Sequence, residues 1–191
     1  MSKQKFTSAK TDLKQVPAVF KLLMENLERP LHFLAYTNEI LDYGGGAGEK
    51  LTEKWAELRI RNLVLDPFNR SEEHNAFVRK LLKVRPADHA ICSNVLNVIK
   101  EPKIRMAALQ EIAALTDPLG NVFFTVYEGN KSSRGKRTKN DCWQANRPLK
   151  SYVKEVRKVF YNGTYFAGGK VLMCSGRREP NTKTKPKRRS A

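Results

Sequence analysis

Short apolar segments alternate with segments of helical spacing along most of this 191-residue chain. The apolar segments read as buried strands at residues 39–43, 62–66, 88–93 and 121–127. The segments of helical spacing between them lie at residues 51–58, 72–84 and 103–115. Strands that are apolar throughout are typical of sheets buried on both faces, and strands that alternate with helices favour a parallel sheet. The sequence therefore predicts an α/β fold, a doubly wound and mostly parallel sheet with helices on both faces.

Both ends of the chain add to this core. A helix is predicted at about residues 16–28, and Gly168 and Gly169 separate two short strands, which predicts a C-terminal antiparallel hairpin. Residues 1–176 are expected to form one domain. Residues 177–191 are rich in Lys, Arg, Pro and Thr. This composition cannot bury a core, so the tail is predicted to be disordered.

The cysteines indicate a reducing compartment. Cys92, Cys142 and Cys174 are scattered, with no CxxC pair and no histidine cluster. Neither a disulfide framework nor a metal site is therefore expected, and the cytoplasm is the natural location. No apolar run approaches the roughly 20 residues needed to cross a bilayer, and the N-terminus lacks the features of a secretory signal. We expect a cytoplasmic protein with no membrane or metal partner.

The net charge of +17 is concentrated in the last third of the chain. Residues 1–129 carry 18 basic and 16 acidic groups, whereas residues 130–191 carry 18 basic and three acidic groups. Part of the excess lies in a predicted basic loop at residues 129–142. Clustered cations attract polyanions by releasing counterions, so nucleic acid is a predicted partner. The candidate contacts are Lys131, Arg134, Lys136, Arg137, Lys139, Trp143 and Arg147.

Two features of this basic region have a second interpretation. A basic tail can serve solubility or non-specific binding as readily as precise substrate docking. Trp143 can stack on a base, or it can anchor the loop to the helix that follows.

Four glycines follow the first predicted strand in the pattern Asp42-x-Gly44-x-Gly46-x-Gly48. Glycines between a strand and a helix allow the backbone to pass close to a ligand. A dinucleotide-binding loop requires GxGxxG, and counting from Gly44 or Gly46 the third glycine is missing. A P-loop ends in Gly-Lys-Ser/Thr, whereas Gly48 is followed by Glu49. Both phosphate-binding loops are therefore excluded.

The pattern resembles the first motif of the class I S-adenosylmethionine-dependent methyltransferases, here in a small, single-domain, Rossmann-like form. Two further motifs follow in the order of that family: Asp66 ends the second strand, and residues 90–99 resemble the segment that faces the transferred methyl group. The resemblance implies S-adenosylmethionine as cofactor, with its amino-acid end on the glycine loop and its ribose hydroxyls on Asp66. The implied cofactor-binding residues are Asp42, Tyr43, Gly44, Gly45, Gly46, Gly48, Asp66, Pro67, Phe68, Ser93 and Asn94.

One strand of the family's sheet is missing from the predicted order of strands and helices. Only 21 residues separate Asp66 from Asp88, and the predicted helix at residues 72–84 takes up most of them. The third strand of the usual family sheet is therefore expected to be short or absent. Phe68, Asn69 or a residue near His89 is expected to supply the adenine contacts instead.

Three residues are candidates for the catalytic site. Asn94 and Asn97 lie in the segment expected to face the methyl group, although asparagine is equally suited to capping a loop. Tyr127 ends the next strand, where it can line an acceptor pocket. This segment lacks the Pro-Pro-aromatic sequence found in enzymes that methylate exocyclic amino groups of DNA bases, which argues against that mechanism.

These features predict a methyltransferase that uses S-adenosylmethionine and acts on nucleic acid or a nucleic-acid-associated acceptor. The nucleic-acid part depends on charge alone. Two alternatives remain open: a small-molecule methyltransferase with an incidental tail, and an inactive cofactor-binding domain that serves as an interaction module.

Overall fold

A computed structural model describes residues 16–26, 36–138, 141–161 and 163–176. Its strands are β1 (Glu39–Tyr43), β2 (Arg61–Leu65), β3 (His89–Ser93), β4 (Asn121–Thr125), β5 (Lys136–Arg137), β6 (Trp143–Gln144), β7 (Gly163–Phe166) and β8 (Val171–Ser175). Six of them form one sheet in the order β2-β1-β3-β4-β8-β7, and β5 and β6 form a separate antiparallel ribbon. Strands β1 to β4 are parallel, whereas β8 is antiparallel to β4 and to β7. The mostly parallel sheet and the C-terminal hairpin are confirmed.

Helices cover both faces of the sheet. They are α1 (Ala18–Asn26), α2 (Lys50–Glu57), α3 (Glu72–Val84), α4 (Pro102–Leu115), a short 3-10 helix (Leu149–Tyr152) and α5 (Val153–Val156). Helices α1 and α2 pack on one face, where the rings of Phe20 and Trp55 meet edge to face at 4.9 Å. Helices α3, α4 and α5 pack on the other face. The predicted doubly wound arrangement is therefore confirmed.

Neighbouring residues of each central strand pack into the hydrophobic cores on opposite faces of the sheet. In β1, Ile40 packs on the face of α1 and α2, and Leu41 packs on the face of α3 and α4. In β4, Phe123 and Phe124 divide in the same way. Successive side chains of a strand point to opposite faces, so a strand covered on both faces needs apolar residues at every position. The continuous apolar runs in the sequence follow from this placement.

Strand β2 is an edge of the sheet because the family's third strand is absent. Residues 66–88 are all described, and after Asp66 they form a turn, helix α3 and an isolated bridge from Ala87 to Thr116. His74 of α3 lies against the free side of β2, with its Nε2 2.9 Å from the carbonyl oxygen of Val64. A side chain thus occupies a backbone acceptor of this edge strand. The expectation of a short or absent third strand is confirmed.

Several expectations concern residues outside the described ranges. They include the basic tail at residues 177–191 and residues 27 and 28 of the N-terminal helix. Within the described ranges, no helix is long and apolar enough to cross a membrane. The His, Cys, Asp and Glu side chains of those ranges form no cluster that could hold a metal ion.

Candidate active site

The strand order brings the three motifs to one crevice. The chain passes from β1 outward to β2 and then returns to β3 on the opposite side of β1. In doubly wound sheets, ligands bind outside the carboxyl ends of the strands where the order reverses. Here that position lies between the glycine loop after β1 and the segment after β3.

The glycine loop after β1 has a conformation and a packing that exclude side chains. Gly44 and Gly46 have φ angles of 75° and 74°, in the left-handed region. A Cβ on Gly44 would also overlap Val95, from the segment after β3, and a Cβ on Gly45 would overlap the carboxylate of Asp42. Side chains are thus excluded by conformation and by space. The absence of side chains at Gly44 and Gly45 lets Val95 and the Asp42 carboxylate pack directly on the loop backbone.

The carboxylate of Asp66 organises the loops around the crevice. Its Oδ2 accepts a hydrogen bond from the backbone N–H of Gly46 at 2.9 Å. Its Oδ1 accepts from the backbone N–H groups of Phe68 and Asn69 at 2.8 and 2.9 Å. The side-chain amide nitrogen of Asn69 lies 3.2 Å from both oxygens. Asp66 therefore joins the ends of β1 and β2, and the Asn69 amide takes up remaining acceptor capacity.

Two residues that the sequence analysis did not single out hold this arrangement in place. Asn75, buried on α3, accepts from the backbone N–H of Asp66 and donates to its carbonyl oxygen, both at 2.9 Å. Arg70 donates through Nε to the carbonyl oxygen of Gly46 at 2.8 Å and pairs with Glu49 at 2.6 Å. The sequence does contain a signal that could have identified Asn75, because it is a polar residue on the apolar face of a predicted helix. Arg70 carries no comparable signal, because its contacts depend on the turn.

Asp42 lies beneath the glycine loop. Its side chain is buried, and this burial raises its pKa to about 7. That pKa includes three smaller effects: a hydrogen bond with Asn62 lowers it, the charge of Asp66 raises it, and the charge of Arg70 lowers it. A nearby cation favours the ionised form of such a carboxyl group. A positively charged ligand above Asp42 would therefore favour the ionised form of its carboxyl group.

Tyr43 directs its side chain away from the loop. The ring is buried, and its hydroxyl donates to Oε2 of Glu111 on α4 at 2.7 Å. Burial and the neighbouring Glu111 carboxylate raise the pKa of this hydroxyl. Its side chain thus belongs to the packing behind the crevice, and its backbone is the part that can contribute to the loop.

The segment after β3 closes the crevice on its second side. Asn94 is exposed, has a φ of 59° and donates its backbone N–H to the carbonyl oxygen of Thr125 at 3.0 Å. The hydroxyls of Ser93 and Thr125 lie 2.8 Å apart in a hydrogen bond. Because the Ser93 hydroxyl is engaged with β4, Asn94 is the more accessible polar side chain here.

Asn97 is bound to the ribbon of β5 and β6. Its side chain is only 1% exposed and donates through Nδ2 to Oε1 of Gln144 at 3.1 Å. Its carbonyl oxygen accepts from the backbone N–H of Ala145 at 2.9 Å. Gln144 in turn donates through Nε2 to the carbonyl oxygen of Tyr127 at 2.9 Å. This chain of bonds ties the segment after β3, the ribbon and the end of β4 together.

A cleft of about 440 Å³ opens between the end of β4 and the ribbon. Its lining residues are Val98, Tyr127, Gly129, Asn130, Lys136, Thr138, Cys142, Trp143, Gln144 and Asn146. The volume falls in the range of roughly 300–1,000 Å³ found for small-molecule sites. Residues 94–98 therefore have the glycine loop on one side, through Val95, and this cleft on the other, through Val98.

The predicted nucleic-acid contacts divide into paired and unpaired cations. Three of them form ion pairs within the protein: Lys131 with Glu128, Arg137 with Asp141, and Arg147 with Glu155. Arg134 and Lys136 are exposed and have no carboxylate within ion-pair distance among the described residues. Lys139 lies outside the described residues.

Trp143 and Arg147 make contacts within the protein. Gly135 packs so closely on the indole of Trp143 that a Cβ there would overlap the ring, and Nζ of Lys100 lies 4.8 Å from the ring centroid. The guanidinium of Arg147 stacks 3.8 Å above the ring of Tyr152. These contacts favour Trp143 as an anchor for the ribbon, with part of its ring on the cleft.

The groups at the crevice suit a nucleoside that carries an amino acid and no phosphate. The loop offers bare backbone, and the two strand-end carboxylates, Asp42 and Asp66, suit a cationic ligand and ribose hydroxyls, respectively. The nearby cation, Arg70, is engaged by Glu49 and by the carbonyl oxygen of Gly46. The residues present therefore fit S-adenosylmethionine.

This combination of sheet order and crevice defines the Rossmann-like class of α/β proteins that bind nucleosides. A family model described as a methyltransferase domain matches residues 16–158, well over half of the chain. The chain therefore belongs to this family and contains a methyltransferase domain. No curated protein sequence matches it.

Solved structures with this fold include several methyltransferases. One is the 1,6-didemethyltoxoflavin N1-methyltransferase of Burkholderia thailandensis, with bound 1,6-didemethyltoxoflavin and S-adenosylhomocysteine. The comparison gives a TM-score of 0.54 and 16% identity, and it covers 78% of this chain and 74% of that chain. A second is a methyltransferase of Methanosarcina mazei: TM-score 0.53, 13% identity, 80% and 99% covered. The same fold is found in DesVI of Streptomyces venezuelae, with a TM-score of 0.51 and 11% identity; 75% of this chain and 85% of that chain are covered. At these identities the likeness establishes the fold.

Proposed function

We propose that this methyltransferase acts on a small, planar acceptor bound in the cleft beside the ribbon. The observation that carries the proposal is the position of residues 94–98, which touch Gly44 through Val95 and line the cleft through Val98. One short segment thus separates the cofactor loop from the cleft. Tyr127 and Trp143 contribute two aromatic side chains to the lining of the cleft. The Burkholderia thailandensis neighbour, with its bound 1,6-didemethyltoxoflavin, is an example of this fold holding a small acceptor.

For the cofactor, the resemblance and the geometry support the same assignment. The amino-acid end is assigned to the glycine loop with Asp42 beneath it, and the ribose to the turn after β2. Phe68 is 45% exposed next to Asp66 and offers a ring to the adenine where the third strand is absent. The assigned residues are Asp42, Tyr43, Gly44, Gly45, Gly46, Gly48, Asp66, Pro67, Phe68, Ser93 and Asn94. When bound, S-adenosylmethionine supplies a methyl group on a positively charged sulfur, and the lone pair of the acceptor takes that group.

For the acceptor, Asn94 and Tyr127 are the candidate contacts. Asn94 is exposed at the end of β3, and Tyr127 is 63% exposed on the cleft. We assign Asn97 a positioning role, because its side chain is buried against Gln144. Alignment of a nucleophile with the methyl group supplies most of the rate gain that such a site can give.

Tritiated S-adenosylmethionine tests this proposal. The protein is incubated with separate cell fractions of metabolites, nucleic acid and protein, and we expect label in the metabolite fraction. Tyr127→Ala removes one wall of the cleft and should lower that transfer at least tenfold. Tyr165→Ala is the matched control, because Tyr165 is an exposed tyrosine on β7 at the sheet edge away from the cleft. Label confined to the nucleic-acid or protein fraction would contradict a small acceptor.

Nucleic acid is the second candidate acceptor. The net charge of +17 favours it, as do Arg134 and Lys136, which are exposed next to the cleft and form no ion pair with another described residue. Binding of this kind weakens steeply with salt. Gel-shift titrations with DNA and RNA at increasing salt should show such binding, and Arg134→Gln with Lys136→Gln should reduce its salt dependence. Absence of binding at low salt removes this candidate.

The remaining alternative is an inactive binding domain. Such a domain would bind S-adenosylhomocysteine in calorimetry and transfer no label to any fraction. The cytoplasmic location also remains a proposal, and the buried thiols of Cys92 and Cys174, which form no disulfide among the described residues, support it.

A further inference from the structure

The lining of the cleft is neutral except at one position. Among the described lining residues, Tyr127 and Trp143 contribute rings, and the other uncharged residues contribute amide, hydroxyl, thiol, backbone and aliphatic groups. Lys136 is the charged member of that set. The described lining therefore combines two aromatic rings with one cationic side chain.

The ammonium group of Lys136 is left available by its surroundings. The carboxylates nearby are engaged with other cations: Glu128 with Lys131, and Asp141 with Arg137. Lys136 has no carboxylate within ion-pair distance among the described residues. The local field at the cleft is therefore positive, which attracts an anion.

The backbone of Lys136 is fixed relative to the site of methyl transfer. It lies in β5 opposite Gln144 of β6. Gln144 is held by Asn97 on one side and by the carbonyl oxygen of Tyr127 on the other. The base of the lysine side chain is thereby tied to the segment that borders the glycine loop, so Lys136 can fix the orientation of a bound molecule.

We propose that the acceptor is a planar aromatic or heteroaromatic molecule with one anionic group, and that Lys136 pairs with that group. This inference rests on the proposed function, because it describes the molecule in the same cleft. The anionic group is the point of recognition. A separate oxygen, nitrogen or carbon nucleophile of the ring system forms the bond to the methyl carbon, while the carbon–sulfur bonding pair stays on sulfur. Any proton that this nucleophile carried is released to water.

Matched acids and amides test the charge requirement. The protein saturated with S-adenosylhomocysteine is titrated with salicylate and salicylamide, anthranilate and anthranilamide, and nicotinate and nicotinamide. Quenching of Trp143 fluorescence reports binding, because the other tryptophan, Trp55, is buried in the core. We expect at least one acid to bind about fivefold more tightly than its amide, the upper range for a partly exposed charge pair.

Variants of Lys136 separate this inference from the proposed function. Lys136→Met should abolish the preference for the acid, and Lys136→Glu should reverse it. Lys170→Met, at an exposed position between β7 and β8, should leave the preference unchanged. Equal binding of acids and amides, or a preference that survives in Lys136→Met, overturns the inference and leaves a small acceptor standing. Failure of every acid and amide to quench Trp143, while S-adenosylhomocysteine binds, overturns both.

Discussion

The side-chain amide of Asn69 occupies hydrogen-bond acceptor positions on the carboxylate of Asp66. The Asn69 amide contacts both carboxylate oxygens at 3.2 Å, farther than the backbone donors at 2.8 to 2.9 Å. It is thus the contact that a ribose hydroxyl can displace at least cost. In the proposed site, Asn69 competes with the cofactor for Asp66.

Replacing Asn69 should therefore strengthen cofactor binding. We expect Asn69→Ala to tighten S-adenosylhomocysteine binding by about fivefold in isothermal titration calorimetry, because an intramolecular hydrogen bond is worth about 1 kcal/mol net. Asp66→Asn should weaken it at least tenfold. Gln110→Ala, an exposed position on α4, serves as the control. Weaker binding by Asn69→Ala would show instead that Asn69 itself contacts the ligand.

The carboxyl group of Asp42 makes stability depend on pH. In an unfolded chain its pKa is about 3.9, whereas burial raises it to about 7 in the folded protein. Between these values the folded state binds more protons than the unfolded state, so stability falls as pH rises from about 4 to about 7. Asp42→Asn removes this loss.

Urea unfolding of both proteins measures the effect. The free energy of unfolding of Asp42→Asn, minus that of the original chain, should increase by about 3 kcal/mol between pH 4.5 and pH 7.5. A difference that stays constant across this range would mean that Asp42 is ionised throughout.

At the scale of elements, two buried amides serve opposite sides of the site. Asn75 of α3 holds the turn with Asp66, and Asn97 holds the ribbon through Gln144. Losing a buried hydrogen-bond partner costs about 1–3 kcal/mol. Asn97→Ala should raise KM for the acceptor and leave the Kd of S-adenosylhomocysteine unchanged, whereas Asn75→Ala should raise that Kd. Parallel losses in both variants would indicate general destabilisation rather than separate roles.

The glycine loop and the segment after β3 are in direct contact, and glycine substitutions can measure this. Gly44 and Gly168 both have a positive φ, but a Cβ would overlap Val95 at Gly44 and would meet nothing within 4 Å at Gly168. Gly168→Ala therefore carries only the conformational cost of about 1–2 kcal/mol. Gly44→Ala adds a packing cost of about 1–3 kcal/mol.

Chemical denaturation should rank these variants. Gly44→Ala is expected to be the less stable of the two, and the double variant with Val95→Ala should regain part of the difference. Equal stability of the two single variants would contradict the close packing of Val95 on the loop.

For the whole molecule, the sequence predicted the features that follow from periodicity and strand order. The central strands β1 to β4 and the hairpin of β7 and β8 are confirmed, because strands covered on both faces must be apolar and the turn glycines mark the hairpin. The absence of the third strand is confirmed as well, since the count of residues between Asp66 and Asp88 left no room for it. In a parallel sheet the strand ends meet at one edge, which is why Asp42 and Asp66 could be associated in advance.

The ribbon and the cleft beneath it could not be predicted in this way. Strands β5 and β6 have two residues each, too few for a periodic pattern. Their position depends on the bond between Asn97 and Gln144, which are 47 residues apart in the chain. The roles of Asn69 and Arg70 likewise depend on turn conformation, which residue type alone does not determine.

A crystal structure of the protein with S-adenosylhomocysteine tests the central claim most directly. It should show the amino-acid end over the loop of Gly44 and Gly46, the ribose hydroxyls on Asp66 with the Asn69 side chain displaced, and the sulfur directed toward Asn94 and the cleft. A ligand outside the crevice between β1 and β3, or a sulfur that faces away from the cleft, would contradict it.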